Sequence, residues 1–431
     1  MTASEIAPDE IVPDGGQQGL PGKRRWVVLA LLMVLMMFNL IDRQIVFILA
    51  EPLKEDLGLS DTQLGILGGI AFSLVYALAA IPIARAADRY SKRIILTICV
   101  VVWSLMTALG ATAQGFVHLA LTRCGVALGE AGGSPISQAL VAESFPPAQR
   151  MRAMGLLHAS VAIGIMMGSA AGGWLAGMFS WRIVLVIVAV PTLFIAPLCL
   201  ILLPDRRDRE GPAPRRQSGV ADALTLLRLP SLGWALAGTA LYSFATAGPM
   251  IFTVPFLMRA HGFTIGEAGL AFGAITGAAG VAATVSFGFL AERLQKRDPA
   301  WPLRLAALAC ATGALCYITA WWAGSTALLL VALSAAWIAT GAYLPITNGT
   351  AQQVAPAHLR ALAAALVLVA MSMIGTTTSS VMAGFLSDVL RPVWGDDGLR
   401  IAMTILSASG LLAGAAYLFA SRQVVGLRAS P

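Results

Sequence analysis

Ala84-Arg85-Ala86-Ala87-Asp88-Arg89-Tyr90-Ser91-Lys92-Arg93 links the end of one apolar run to the start of the next. About 204 positions later, Gly288-Phe289-Leu290-Ala291-Glu292-Arg293-Leu294-Gln295-Lys296-Arg297 repeats its acid, Arg, Lys and Arg in register. Two weaker echoes fall at matching places. Pro146-Pro147-Ala148-Gln149-Arg150 corresponds to Pro356-Ala357-His358-Leu359-Arg360, and Gly164 and Gly173 correspond to Gly375 and Gly384. One match of this kind is weak, but three at a nearly constant offset indicate a chain built from duplicated units.

Around these loops the chain is apolar. Of its 431 residues, 58% are hydrophobic and 12% charged, with a mean hydropathy of +0.78. Soluble domains carry about 25% charged residues, so most of these side chains never meet bulk water. The composition describes an all-α integral membrane protein and disfavours a disordered chain, a disulfide scaffold or a soluble enzyme. Cys99, Cys124, Cys199, Cys310 and Cys316 lie inside apolar runs without CxxC spacing, so neither disulfides nor a metal site is expected.

Crossing roughly 30 Å of hydrocarbon takes about 20 apolar residues. Twelve stretches qualify: 26–49, 62–84, 94–113, 117–142, 153–177, 182–203, 231–257, 267–290, 301–323, 325–351, 361–386 and 399–421. They predict twelve transmembrane helices in two pseudo-symmetric bundles of six. Residues 1–25 form a disordered tail, 26–203 the first bundle, 204–230 a linker, 231–421 the second bundle and 422–431 a second tail. With the N-terminus in the cytoplasm, 22 of the 29 Lys and Arg residues fall on cytoplasmic segments, five on the other side and two inside spans. That asymmetry places both termini in the cytoplasm of a multi-pass protein of the cell membrane, the inner membrane in a bacterium. Trp26, Trp181, Trp234, Trp301, Trp321 and Trp394 fall at span ends as interfacial anchors. The net charge of +7, concentrated in PDRRDREGPAPRRQSG from Pro204 to Gly219, reads as a solvated linker and not as a nucleic-acid site.

The loop motif and its echo resemble the major facilitator superfamily across the whole chain. Ala84 and Ser91 stand where that motif has glycines, and Gly164, Gly168, Ser169, Gly172 and Gly173 follow its span-five motif with Ser in place of Pro. Asn39-Leu40-Ile41-Asp42-Arg43, together with Arg123 and Gly129-Glu130-Ala131, resembles the Spinster-like branch more narrowly, with Ala127 in place of its usual glycine. The repeat points to a secondary active transporter working by alternating access, and the resemblance implies proton coupling and a lipid-like amphiphile, such as a lysolipid or sphingoid phosphate, as the substrate. A small organic anion, such as a sugar acid or aromatic acid, is the alternative. The remaining partners are protons and the bilayer; no cofactor, metal or nucleic acid is expected, and the unit is a monomer.

The physics of the motifs stands without the family. Asp88, Arg89, Lys92 and Arg93, with Glu292, Arg293 and Arg297, can form charge-assisted hydrogen bonds in one conformation and release them in another, as a conformational switch. Gly164, Gly168, Gly172 and Gly173 let helix backbones approach closely.

Four ionisable residues lie inside spans: Asp42, Arg43, Arg123 and Glu130. Each costs roughly 2.5 to 3.5 kcal/mol at the bilayer centre, so they must be paired or wet. At 1.5 Å per residue, Asp42 and Arg123 share a level toward the outside, and Glu130 falls near the midplane. Arg123 and Glu130, seven residues apart, project from one face of their span. Asp42 and Glu130 are the expected proton-coupling groups; Arg43 and Arg123 are expected to hold the anionic part of a substrate. Tyr242, Phe244, Phe252 and Asn348 are candidate contacts from the second half. No Gly-x-x-x-x-Gly-Lys-Ser/Thr loop serves an ATP-driven pump, and neither Gly-x-Ser-x-Gly nor His-Glu-x-x-His serves a membrane enzyme.

Overall fold

The structure, a computed structural model, describes residues 20, 22–205, 220–298, 300–356, 359–395 and 397–429. Its long helices are α1 (Gly22–Ile48), α2 (Asp61–Arg89), α3 (Lys92–Gly110), α4 (116–144), α5 (Pro147–Met178), α6 (Trp181–Leu202), α7 (Pro230–His261), α8 (Ile265–Gln295), α9 (Trp301–Trp321), α10 (Thr326–Val354), α11 (360–394) and α12 (Asp397–Ala429). Among the described residues, all of these except α4 and α8 are long and apolar enough to cross a membrane, which makes ten. A turn at Ala131 and Gly132 divides α4 into Phe116–Glu130 and Gly133–Ser144, and α8 is helical throughout. Both occupy the places of the fourth and eighth expected spans.

Residues 1–19 and 206–219, which hold most of the expected tail and linker, lie outside the described residues. Within the linker range, Val220–Leu227 is a helix, because Leu226 can be buried beside Leu232, Ala363 and Val367. Helix α12 runs on to Ala429, past the expected span end at residue 421.

Local chemistry fixes the helix ends. Ser60 with Gln63 and Thr264 with Glu267 form capping boxes at the starts of α2 and α8. The Ser91 hydroxyl accepts from the Ile94 amide at the start of α3, and Ser325 does the same for Leu328 at the start of α10. Gly262 ends α7 in the left-handed conformation with φ 66°, which favours glycine.

Among the described residues, two helices contain π-helical segments, Gly69–Leu74 in α2 and Ala370–Thr376 in α11. A wider turn frees backbone carbonyls, and inside a bilayer these need another donor. Hydroxyls five residues ahead supply it: Ser73 donates to the Gly68 carbonyl at 2.9 Å, Thr376 to Met371 at 3.1 Å and Thr377 to Ser372 at 2.9 Å. The two segments lie against one another where the halves meet.

The halves close together at the end of the molecule opposite the chain termini, called here the distal end. One apolar core there combines Ile45, Leu49 and Leu67 of the first half with Phe252, Leu257 and Phe272 of the second. Two seams of small residues bring backbones together across the halves. A Cβ on Gly173 of α5 would lie 2.8 Å from the Ile265 carbonyl and 2.9 Å from the Gly269 Cα of α8. A Cβ on Gly69 of α2 would meet the Thr377 carbonyl of α11 at 2.8 Å, so neither position has room for a side chain without movement.

Candidate functional site

On α1, Asn39, Asp42 and Arg43 are spaced i, i+3 and i+4, which puts them on one face. That face turns toward α4, and the charges meet there. Arg43 Nη2 lies 3.0 Å from Glu130 Oε2 and its Nε lies at 3.4 Å. The Glu130 side chain is completely buried, and that of Arg43 is 27% exposed. Asp42, also buried, accepts a 2.8 Å hydrogen bond from the Thr107 hydroxyl of α3. Its charged neighbours are Arg123, Glu130 and Arg43.

Several buried polar atoms around this point make no hydrogen bond to protein: Asn39 Nδ2, Asp42 Oδ2, Arg123 Nε and Nη2, and Glu130 Oε1. Each such group costs about 1–3 kcal/mol if it stays unsatisfied, so the cluster has capacity for hydrogen bonds to water or to a polar ligand. The arrangement is chemically asymmetric: Glu130 has its own cation, whereas Arg123 has guanidinium hydrogens to offer.

The sequence reasoning did not single out Phe72 and Tyr76 of α2. Arg43 Cζ lies 4.8 Å from both ring centroids, and Arg123 Cζ lies 4.8 Å from that of Phe72. The rings stack at 21° with centroids 6.0 Å apart. Guanidinium–ring contacts contribute from about 0.5 kcal/mol in water to about 2 kcal/mol when desolvated, which offsets part of the repulsion between the two arginines. Their signal in the sequence was an i, i+4 aromatic pair in a span neighbouring the buried arginines.

In the second half, Tyr242 is fully buried, with its hydroxyl 3.3 Å from that of Thr340 and its ring edge-on to Tyr343 at 5.1 Å. Phe252 is also fully buried, in the core shared at the distal end. In this conformation both pack between helices. Phe244 and Asn348 are half-buried on α7 and α10. A separate apolar groove of about 370 Å³ lies between α8 and α10, lined by Ala274, Ile275, Ala278, Ser334 and Ile338 among others.

At the end bearing the termini, Arg93 pairs with Asp205 at 2.9 Å and Lys92 with Glu143 at 2.7 Å, and the Ser91 hydroxyl donates to Asp205 at 2.5 Å. Glu143 belongs to the first half, and Asp205 follows α6 at the start of the expected linker. Asp88 and Arg89 are exposed, as are Arg293 and Arg297 at the end of α8; the Glu292 side chain lies outside the described residues.

The distal end is different. Arg259 of α7 donates to Asp61 through Nη1 at 2.8 Å and Nη2 at 2.9 Å, and to Glu51 through Nε at 2.9 Å. Lys54 lies 2.5 Å from Asp61, and Ser387 of α11 donates to it at 2.6 Å. Asp388 of α11 accepts from the amides of Asp61 and Thr62 at 3.0 and 2.8 Å, capping α2 from the opposite half. Nearby, Arg182 at 2.6 Å and Trp181 at 3.1 Å hold the Asp56 carboxyl below the usual carboxylate range. None of this network was legible in sequence, because charges at helix ends read first as topology signals.

Comparison with known proteins adds four relationships to this geometry. The family model of the Major Facilitator Superfamily matches residues 32–380. An MFS-type efflux pump of Mycolicibacterium smegmatis (strain ATCC 700084 / mc(2)155) is 33% identical over 393 residues, 91% of either chain. A hexuronate transporter of Bacillus subtilis (strain 168) is 30% identical over 207 residues, 47% of this chain and 49% of that one. The crystal structure of a bacterial homolog to the human lysosomal transporter Spinster, inward-facing and unoccupied, superposes with a TM-score of 0.84 at 27% identity, covering 95% of this chain and all of the other.

Proposed function

The chain belongs to the Major Facilitator Superfamily, in its Spinster-like part, and from that premise we propose that it is a proton-coupled secondary transporter of an amphiphilic, lipid-like substrate. The observation that carries this reading is the meeting of Asp42, Arg43, Arg123 and Glu130 among buried polar atoms that the protein leaves unsatisfied. Protonating Glu130 cancels the charge that holds Arg43, and a guanidinium released in a buried site seeks an anion. An anionic headgroup entering beside Arg123 then competes with Asp42. Substrate and proton so become linked through the same two arginines.

The two sets of end contacts support alternating access, with the halves rocking about the midplane site. The distal end is latched across the halves by Arg259 and Asp388, while the pairs described for Lys92 and Arg93 are with Glu143 and Asp205. That is the pattern of a carrier open toward its termini, which the positive-inside asymmetry places in the cytoplasm. The apolar groove between α8 and α10 offers a surface that an alkyl chain can occupy. A second reading, proton symport of a small organic anion such as a sugar acid, is favoured by the similarity of about half the chain to the hexuronate transporter.

Counterflow in proteoliposomes tests both. Labelled lysophosphatidate should exchange with saturation and trans-acceleration, and glucuronate should not; the opposite result selects the second reading, and non-saturating uptake of either without trans-acceleration argues for a channel. In the working system, Glu130→Gln should abolish accumulation driven by a proton gradient and keep part of the equilibrium exchange. Unchanged accumulation would remove Glu130 from coupling.

A further inference from the structure

Phe72 is only 3% exposed, yet two cations share its ring. Like charges so close repel, and what offsets the repulsion here is Glu130 for Arg43, Asp42 for Arg123 and the negative face of the aromatic system for both. Arg123 depends on the ring more than Arg43 does. Among the described residues Arg123 forms no ion pair within 4 Å, and its buried Nε and Nη2 make no hydrogen bond.

Phe72 also sits in the π-helical segment Gly69–Leu74, which lies against the π-helical segment Ala370–Thr376 of the other half. This crossing is tight: Gly69 has no room for a Cβ beneath the Thr377 carbonyl. A π-helical turn is a local departure from the i to i+4 ladder and is easier to rewind than an unbroken α-helix. One residue therefore touches the charge cluster with its side chain and the interface between halves with its backbone segment.

We propose that Phe72 is a positioning residue whose ring holds Arg43 on Glu130 and Arg123 beside Asp42 while the distal end is closed, and that movement of its π-helical segment against that of α11 withdraws the ring and frees both arginines. The withdrawal step rests on the alternating-access reading above; the holding step does not.

The test replaces Phe72 in the full chain, in lipid nanodiscs, with mono-, di- and trifluorophenylalanine, which weaken the negative face stepwise at nearly constant shape. Phe72→Leu and Phe72→Trp bracket the series. The first readout is the rate of phenylglyoxal modification at Arg43, which its 27% exposure makes reachable, followed by mass spectrometry. Holding by the ring predicts a stepwise rise, roughly tenfold in all, with Phe72→Leu at the fast end and Phe72→Trp near the wild type. A flat series, or Phe72→Leu matching the wild type, overturns the proposal.

The second readout is the distance between nitroxides at the exposed distal positions Glu55 and Val393, in a chain whose five cysteines are replaced by alanine. The ratio of open to closed distances should rise in the same order as the labelling rate. A ratio that ignores fluorination while labelling responds overturns the withdrawal step alone. A single distance under every condition sinks alternating access and the withdrawal step together, and the Arg43 labelling still decides whether the ring holds Arg43.

Discussion

Arg43 and Glu130 illustrate how unequal the two members of a buried pair can be. Glu130 has no contact with solvent, so taking away its cation leaves an uncompensated charge at a point where hydration cannot replace it. Arg43→Ala should therefore cost about 3–5 kcal/mol, and adding Glu130→Gln should recover most of that loss. A double-mutant cycle of thermal unfolding in detergent checks this; strictly additive losses would mean that the pair does not interact. The sequence identified the four charged residues and the shared face of Arg123 and Glu130, but it left open which arginine takes Glu130. That choice depends on the rotation of α1 about its axis and on the reach of a side chain, neither of which periodicity specifies. Phe72 was missed because an aromatic in a membrane span is usually packing, and only its contact with two guanidiniums makes it more.

Among the helices, the glycines of α5 separate into two mechanical roles that their common spacing conceals. A Cβ on Gly164 would lie 2.7 Å from the Met37 carbonyl and one on Gly168 2.8 Å from the Ile41 Cα, both within the first bundle. Gly173 instead meets α8 of the second half. Gly164→Leu is accordingly expected to destabilise the bundle by about 1–3 kcal/mol through overpacking, seen as a lower melting temperature. Gly173→Val should leave the melting temperature nearer the wild type and raise the open fraction between labels at Glu55 and Val393. If both variants melt early with the distal distance unchanged, the division of roles is wrong. Helix existence was legible here from runs of about 20 apolar residues, because hydrocarbon forces every backbone group to be satisfied within the segment. The π-helical segments were not, since they arise where Ser73, Thr376 and Thr377 can donate to carbonyls five residues back and where a facing helix leaves room.

For the whole molecule, the distal latch sets which conformation is preferred. Arg259→Gln removes bonds to both Asp61 and Glu51, and Asp388→Asn weakens the cap on α2, so each should shift the balance toward the distally open form. Charge-assisted hydrogen bonds contribute about 1.5–3 kcal/mol, which makes a change of about tenfold or more in the open-to-closed ratio the expected size. Because Asp61 is wholly buried, salt should alter the wild-type ratio little; a strong dependence on ionic strength would place the latch in water and contradict its geometry. The amino-acid order alone determined that this is a twofold-repeated helical membrane protein with four costly charges inside its spans, since the water-to-hydrocarbon transfer penalty acts on each segment separately. Only the folded arrangement decided that Arg43 takes Glu130, that Phe72 serves two arginines, that Tyr242 and Phe252 are packed away, and that Arg259 and Asp388 fasten one half to the other. Those outcomes depend on distances between residues up to 327 positions apart, and such distances are set by how whole helices pack and not by the local pattern that makes each one a helix.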